Sequence, residues 1–531
     1  MKEKQQPPLI KTFNFGRKTR SPYTDIVKIK TENNGLGILK ALLIFGIILF
    51  QLLMFVLLHA TFMLSYKWTA LATFIVSLIT CIYVLSSNKN SHSKAVWIIF
   101  LLLFFPFAYL FYIISDERVL MLGSGKRYKR IFKESKGFIH QNQIKTSNKK
   151  VKNDCEYLFN AGGFNAYTNT ESKYFSSGNL FFSDVLQRLK QAKEFIFMEF
   201  FIISDGVLLN RTLNILRDKV KEGVLVRIIY DDMGSHKTLS RKTKKRIKSM
   251  GIELCPFNKI LPFFSVMINY RDHRKIVIVD GKTAYTGGTN LADEYVNEKR
   301  MHGYWKDNGI RLDGRAVDGF TLMFLRQWEF LNKKKEDYSI YLNKAEKFNN
   351  NSVLVPYADG LEYPVAICKS TYENMMAGAD EFIYIMTPYF IVDDTFTNIL
   401  IGKAMSGVDV RIIIPEVPDK AFVYGVTRNN VEKLIDYGVK VYCMKSSFVH
   451  SKLLLTENSV VVGSINMDLR SFYQQFECAV YLNDKVVLEQ VKADFEQTFK
   501  DSVLITEKKK FRKRVFYRMF AGVMQIFAPF M

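Results

Sequence analysis

The chain has 531 residues, room for more than one domain, and a net charge of +24 that favours an anionic partner such as a membrane surface or a nucleic acid. Its hydrophobic fraction of 48% is high for so charged a chain, and much of the apolar excess lies before residue 116. Six cysteines stand far apart with no Cys-x-x-Cys pair, which excludes a disulfide framework and a cysteine metal site.

Residues 1–36 form a basic segment, and residues 37–116 predict a membrane domain of two to three hydrophobic helices. Three apolar runs lie there, over 41–64, 68–86 and 95–114, each near the length that crosses a hydrocarbon core. The first is too long and starts too late for a cleaved signal peptide. Basic residues flank the runs on both sides, and the positive-inside rule puts both flanks in the cytoplasm. That requires an even number of crossings, so the third run, broken by Pro106, is the candidate for an incomplete span. A basic linker follows over 117–154.

Residues 155–340 and 341–505 read as two halves of a duplicated α/β body. In the first half, Phe182, Val185, Leu186 and Leu189 recur at helical spacing before the strand-like run 195–202. A second helix then leads to the run 223–230. The second half repeats the order, with apolar runs at 382–390 and 407–414. Continuous apolar strands between helices imply sheets covered on both faces. The tail 506–531 opens with Lys508-Lys509-Lys510-Phe511-Arg512-Lys513-Arg514 and ends apolar, which suits the interface of an anionic leaflet.

Each half carries one version of a motif. The first reads His273-Arg274-Lys275-Ile276-Val277-Ile278-Val279-Asp280, with Gly287-Gly288-Thr289-Asn290 behind it. The second reads His450-Ser451-Lys452-Leu453-Leu454-Leu455-Thr456-Glu457, then Gly463-Ser464-Ile465-Asn466. The His-to-Asn offsets are 17 and 16 residues. Strand residues two apart point the same way, so each His is expected to share a face with its Lys. Brought together across a pseudo-two-fold axis, the motifs would surround one phosphodiester with two imidazoles, two ammoniums and two Asn side chains. The cations and amides suit its non-bridging oxygens. One imidazole can attack phosphorus while the other moves protons, which requires the pair to hold opposite protonation states. Each His also wants a carboxylate to set its tautomer. Asp307, 34 residues after His273, and Glu477, 27 after His450, are the candidates. Glu199 is a further one, as the polar side chain of an otherwise apolar strand.

These motifs, with Tyr304-Trp305-Lys306-Asp307, Thr387-Pro388-Tyr389-Phe390 and Met467-Asp468-Leu469-Arg470-Ser471, resemble the phospholipase D superfamily and, within it, the bacterial cardiolipin synthases. The resemblance covers most of the chain. It implies a duplicated phospholipase D-type sandwich of mixed sheets flanked by helices, preceded by transmembrane helices, in a multi-pass protein of the cell membrane with its catalytic body in the cytoplasm. It implies a phosphatidyltransferase that joins two phosphatidylglycerols and releases glycerol through a phosphatidyl-histidine, without metal or cofactor. His273 would be the nucleophile and His450 the acid/base; residues aligned with Asp307 and Glu477 would orient them. The expected catalytic set is His273, Lys275, Asp280, His450, Lys452 and Glu457, supported by Asn290, Asn466, Asp307, Glu477 and Glu199. The expected partners are phosphatidylglycerol and anionic membrane lipids, with no nucleic acid; no oligomeric state is implied.

Three departures stand out. Glu457 replaces the usual Asp, at an acid that supports the strand and loop more than the chemistry. Gln475 stands where Asn is common and Gly309 where His is common. Competing readings are hydrolysis or transfer to another alcohol, a nuclease of the same superfamily, and a non-catalytic membrane scaffold.

Overall fold

The computed structural model of the chain describes residues 57–58, 60–61, 65–87, 91–104, 108–109, 112–113, 117–138, 146–259 and 270–506. The basic segment 1–36, most of the first apolar run, Pro106 and the tail from residue 507 lie outside the described residues.

Helix α1 (Lys67–Ser86) is apolar around its whole circumference, with a mean hydropathy of 2.1, and among the described residues it is the one helix long and apolar enough to cross a membrane. Its outward side chains include Leu71, Phe74, Leu78, Ile79 and Ile82. Helix α2 (Ser91–Leu103) has 13 residues and packs on α1 through Cys81, Val84 and Leu101, while Lys94 Nζ donates to Leu85 O at 2.9 Å. The expectation of two to three spans therefore meets one helix of spanning length and one shorter companion. Helix α3 (Glu117–Glu134) joins this region to the body. Its Tyr128 donates to Gln327 Oε1 at 2.6 Å and stacks on Phe330 at 3.8 Å.

The body is α/β and built from two mixed sheets. The first half contributes β1 (Thr170–Phe175), β2 (Phe195–Phe200), β3 (Leu225–Asp231), β4 (Glu253–Phe257), β5 (Lys275–Val279), β6 (Thr283–Gly287), β7 (Tyr304–Lys306) and β8 (Gly309–Gly314). The second contributes β9 (Val353–Asp359), β10 (Phe382–Met386), β11 (Phe390–Ile391), β12 (Asp409–Pro415), β13 (Lys440–Met444), β14 (Ser447–Val449), β15 (Leu453–Thr456), β16 (Val460–Gly463), β17 (Met467–Asp468), β18 (Glu477–Asn483) and β19 (Ser502–Leu504). The first sheet runs β1-β8-β6-β5-β2-β3-β4, and the second runs β9-β18-β16-β15-β10-β12-β13-β19. Strand for strand this is one order written twice, with β19 added at the end. In each sheet the three strands joined through helices are parallel and the hairpin strands are antiparallel.

The period of two along a strand explains the layers. Phe195 and Phe197 of β2 and Ile276 and Ile278 of β5 belong to the central core shared by both halves. The alternate residues Ile196, Met198, Phe200, Val277 and Val279 face the outer helices α4 (Gly178–Lys190) and α5 (Val207–Lys221). The sheets meet where β6 and β8 lie against β16 and β18. This places the start of β5 and the start of β15, where the motif histidines stand, at the seam.

Candidate active site

Neither histidine is inside a strand. His273 precedes β5, which begins at Lys275, and both His450 and Lys452 precede β15, which begins at Leu453. Each histidine is instead held by backbone from the opposite half. The His273 amide donates to Phe476 O at 2.8 Å, and the Phe476 amide donates to Arg271 O at 2.9 Å. That exchange delivers Glu477 to His273: the Nδ1 atom lies 2.9 and 3.0 Å from the two Glu477 oxygens. On the other side β7 pairs in parallel with β14, and the His450 amide donates to Lys306 O at 2.7 Å. The next residue, Asp307, reaches His450 Nδ1 at 2.7 Å. The acid behind each imidazole thus comes from the other half, crossing the sequence order in which the two candidates follow their own motifs.

The supports of the two acids differ. Glu477 accepts from Ser464 Oγ and from Ser471 Oγ, the latter at 2.7 Å. Asp307 accepts the Asn308 amide at 2.9 Å and fits against Gly288, where a Cβ would stand 2.0 Å from Asp307 Oδ1. Gly288 is needed for that close approach, whatever its backbone angles.

An Nδ1–H donated to a carboxylate leaves Nε2 of each ring as the nitrogen with a free lone pair. Burial and the Lys275 ammonium push His273 well below the usual histidine value, and Lys452, His450 and Arg470 add to the shift. Burial and Lys452 push His450 down to about 4, but Asp307 pulls it the other way. The imidazoles are therefore both biased towards the neutral form rather than held in opposite states; the difference lies in their acids, since burial, against the pull of Lys275, raises Glu477 behind His273 to about 8 while Asp307 pulls His450 back up.

The two ammoniums lie under the histidines. Lys275 Nζ donates to His273 O at 2.6 Å, and Lys452 Nζ donates to His450 O. Lys452 Nζ is also 2.8 Å from His450 Nδ1. Since that nitrogen gives its one proton to Asp307, the carbonyl is the acceptor we assign to Lys452. Burial lowers Lys275 to about 8 and Lys452 to about 7.

The asparagines divide in the same way. Asn290 is fully engaged, with Oδ1 accepting the Ile202 amide at 2.9 Å and Nδ2 donating to Tyr295 Oη at 2.8 Å. Asn466 Oδ1 is buried without a partner among the described residues. Both line, with His273 and His450, a cleft of about 380 Å³. Its aromatic walls bracket the imidazoles: Phe201 meets His273 at 5.0 Å, and Tyr295 and Trp305 meet His450 at 5.2 and 5.3 Å.

Asp280 and Glu457, placed by their motifs in the catalytic set, stand at the far ends of their strands, outside this cleft. The Asp280 carboxylate accepts the amides of Lys193, Glu194 and Phe195 at 2.8, 2.7 and 2.9 Å, which anchors the start of β2. Glu457 does the same ahead of β10, accepting from the Asp380 amide at 2.8 Å and the Glu381 amide at 3.5 Å. Both acids hold backbone and neither reaches the cleft, and the longer Glu457 still meets two amides. Glu199 also lies away from the cleft. It is fully buried on the core face of β2, and burial together with the charge of Asp272 raises its pKa well above the usual carboxyl value. Gly309 faces Phe181, whose ring would lie 2.2 Å from an added Cβ, so a side chain there would enter the core. Gln475 does line the cleft, and its Oε1 lies 3.2 Å from Ser471 Oγ, whose one proton goes to Glu477.

Ser464, Ser471 and Gly288 lie within the motif stretches, and their roles beside the two acids are not legible from spacing. Arg470, in the same stretch as Ser471, lines the cleft as well.

Residues 185–303 and 372–499 match the family described as cardiolipin synthase, PLD-like domain. A Streptococcus mutans protein without an assigned function is 36% identical over 84% of this chain and 98% of its own length. Cardiolipin synthase 2 of Bacillus anthracis is 32% identical over 85% of this chain and 89% of its own. Phosphatidylserine synthase of Haemophilus influenzae, at 13% identity, shares the fold with a TM-score of 0.56 over 72% of this chain and 97% of that one. A repeated sheet, paired His/Lys motifs on one cleft and relatives matched along most of their length lead to one assignment: the chain belongs to the phospholipase D-type cardiolipin synthases, a family of phosphatidyltransferases.

Proposed function

We propose that this chain makes cardiolipin from two phosphatidylglycerols, releasing one glycerol, through a phosphatidyl-histidine. The observation that carries the reading is the pair of imidazoles from opposite halves, each backed by the other half's acid and both opening on one cleft. His273 Nε2 attacks the phosphorus of the first lipid, forming an N–P bond. The P–O bond to the head-group glycerol breaks, and that oxygen takes a proton from His450. The primary hydroxyl of the second phosphatidylglycerol then loses its proton to His450 and attacks phosphorus, which breaks the N–P bond.

The roles follow from the charges. Burial and the charges of Lys275, Lys452 and Arg470 outweigh Glu477 and keep His273 a free base, which suits a nucleophile. His450 has Asp307 to stabilise its charged form, and the arriving phosphate anion adds to that. Asn466 lines the cleft, and its Nδ2, which makes no hydrogen bond among the described residues, is the donor for a phosphate oxygen. Phosphatidylglycerol and anionic lipids are the partners we assign, with no role for nucleic acid. The apolar helix α1 and the basic flanks of the apolar region support a multi-pass membrane protein whose catalytic body faces the cytoplasm.

The test is to incubate detergent-purified protein with phosphatidylglycerol, follow lipids by mass spectrometry, and trap the adduct by rapid acid quench. Cardiolipin and glycerol in equal amounts, with the phosphatidyl group on His273, are expected. Phosphatidic acid as the only product would make the chain a hydrolase; an adduct on His450 would exchange the two roles, and one on neither residue would end the covalent route.

A further inference from the structure

Two cations outside the His/Lys motifs line the cleft, Lys420 and Arg470. Lys420 is answered, with Asp419 at 3.8 Å and the Tyr389 ring at 5.5 Å. Arg470 sits on the short helix Leu469–Tyr473, four residues after Asn466, and lines the cleft with both histidines. Among the described residues its side chain makes no hydrogen bond and no ion pair, and its Nε is buried without a partner. The acids nearest to it are occupied. Asp468 accepts the Ser471 amide at 2.7 Å. Asp231 accepts the amides of Met233, Gly234 and Asp272 and faces Arg271 at 3.5 Å.

Neighbouring buried arginines are answered. Arg274 donates to Glu362 at 3.2 Å, and Arg271 donates to Asn258 O at 2.8 Å. Asp468 and Asp231 attract the Arg470 charge through space, but no acid is bonded to it, so a guanidinium stripped of part of its water gains when an anion arrives. Lys275 and Lys452 do not fill this need in the same way. Both are turned to the carbonyls of their own histidines, and neither lines the cleft. Burial also brings them to about 8 and about 7, within reach of losing their protons. A guanidinium keeps its charge throughout this range. Arg470 shares the cleft lining with His273, and its charge adds to the depression of that imidazole.

We propose that Arg470 binds a non-bridging oxygen of the lipid phosphodiester under attack and stabilises the negative charge that builds on it in the transition state. This deepens the proposed function: it rests on a lipid phosphodiester as substrate, but is indifferent to which alcohol accepts the phosphatidyl group.

The experiment compares full-length wild type, Arg470→Gln and Arg470→Lys in mixed micelles of phosphatidylglycerol, reading glycerol release, the rate of histidine-adduct formation after acid quench, and the melting temperature. Gln is expected to lower kcat for glycerol release by roughly 10²-fold, with KM moved by less than about threefold, and to slow adduct formation equally. Lys should recover roughly tenfold of that loss, because it restores the charge without the fork. Glycerol release by the Gln variant within about threefold of wild type overturns the proposal. So does an equal loss in Gln and Lys accompanied by a fall in melting temperature, or failure of both to fold, since either makes Arg470 a packing residue. A wild type that releases glycerol but yields phosphatidic acid overturns the cardiolipin reading alone, and Arg470 is then judged by the same rates.

Discussion

Behind His273 stands Glu477, its carboxyl held by two serine hydroxyls and pushed up to about 8 by burial; behind His450 stands Asp307, one methylene shorter, held by an amide and pressed against Gly288. Ser464 and Gly288 occupy the same place in the two Gly-(Gly/Ser)-x-Asn turns, so this exchange is one of the differences between the two settings. Asn290 and Asn466 occupy another shared place, yet one is locked into the wall and the other keeps a free acceptor. Duplication supplied the sheet order twice, while the side chains around each imidazole drifted apart. The lesson is that a symmetric frame serves a reaction needing two unlike histidines only if the surroundings, rather than the motifs, make them unlike.

Replacing the two acids by their amides should break the comparison most visibly. Asp307→Asn removes the charge that favours the protonated form of His450 and upsets its tautomer, so kcat should fall on the order of 10³-fold. Glu477→Gln mimics a carboxyl already biased towards neutrality and should cost only about tenfold at pH 7. Equal losses, measured as initial rates of glycerol release, would mean that the two sides are equivalent after all.

The asparagines sharpen it next. Asn466→Ala should lower activity by roughly 10- to 100-fold with an unchanged melting temperature, because its amide faces the cleft. Asn290→Ala should act on stability, by about 1–3 kcal/mol, since it strips partners from the Ile202 amide and Tyr295. Thermal melts and rates on the same preparations separate the two.

The smallest effect concerns pH. Glu477 has a folded value of about 8 against about 4.3 for an unperturbed Glu. Its contribution to stability is complete below the lower value and is lost as pH rises through the higher one. Wild type should therefore lose on the order of 2 kcal/mol between pH 5 and 8 from this group, a slope that Glu477→Gln flattens and Asp307→Asn leaves in place. Calorimetric melts across that range decide it; parallel slopes for wild type and Glu477→Gln would contradict the assignment.

Much of this frame was legible because it is local. The apolar runs at 195–202 and 382–390, the helical spacing from Phe182 to Leu189 and the matched His-to-Asn offsets each sit within a few turns of chain. The α/β class and its repetition follow from them. The crossed partnerships were not legible, since Glu477 meets His273 across 204 residues and Asp307 meets His450 across 143. Strand periodicity says which face a residue takes and nothing about which half's loop will come to lie opposite. Asp280 and Glu457 enter the catalytic set only through the motif: an extended strand carries each to the end remote from its histidine. The fine states of the ionisable groups depend on burial, which spacing alone does not report.

The exchange of acids between the halves also constrains how such a protein could arise and change. A lone lobe would present an imidazole with nothing behind it, so a single-lobe ancestor had to meet a copy of itself before either ring could be oriented. Once fused, neither lobe is free to decay: erasing one motif's surroundings strips the other's histidine as well, and selection sees both as a single heritable unit.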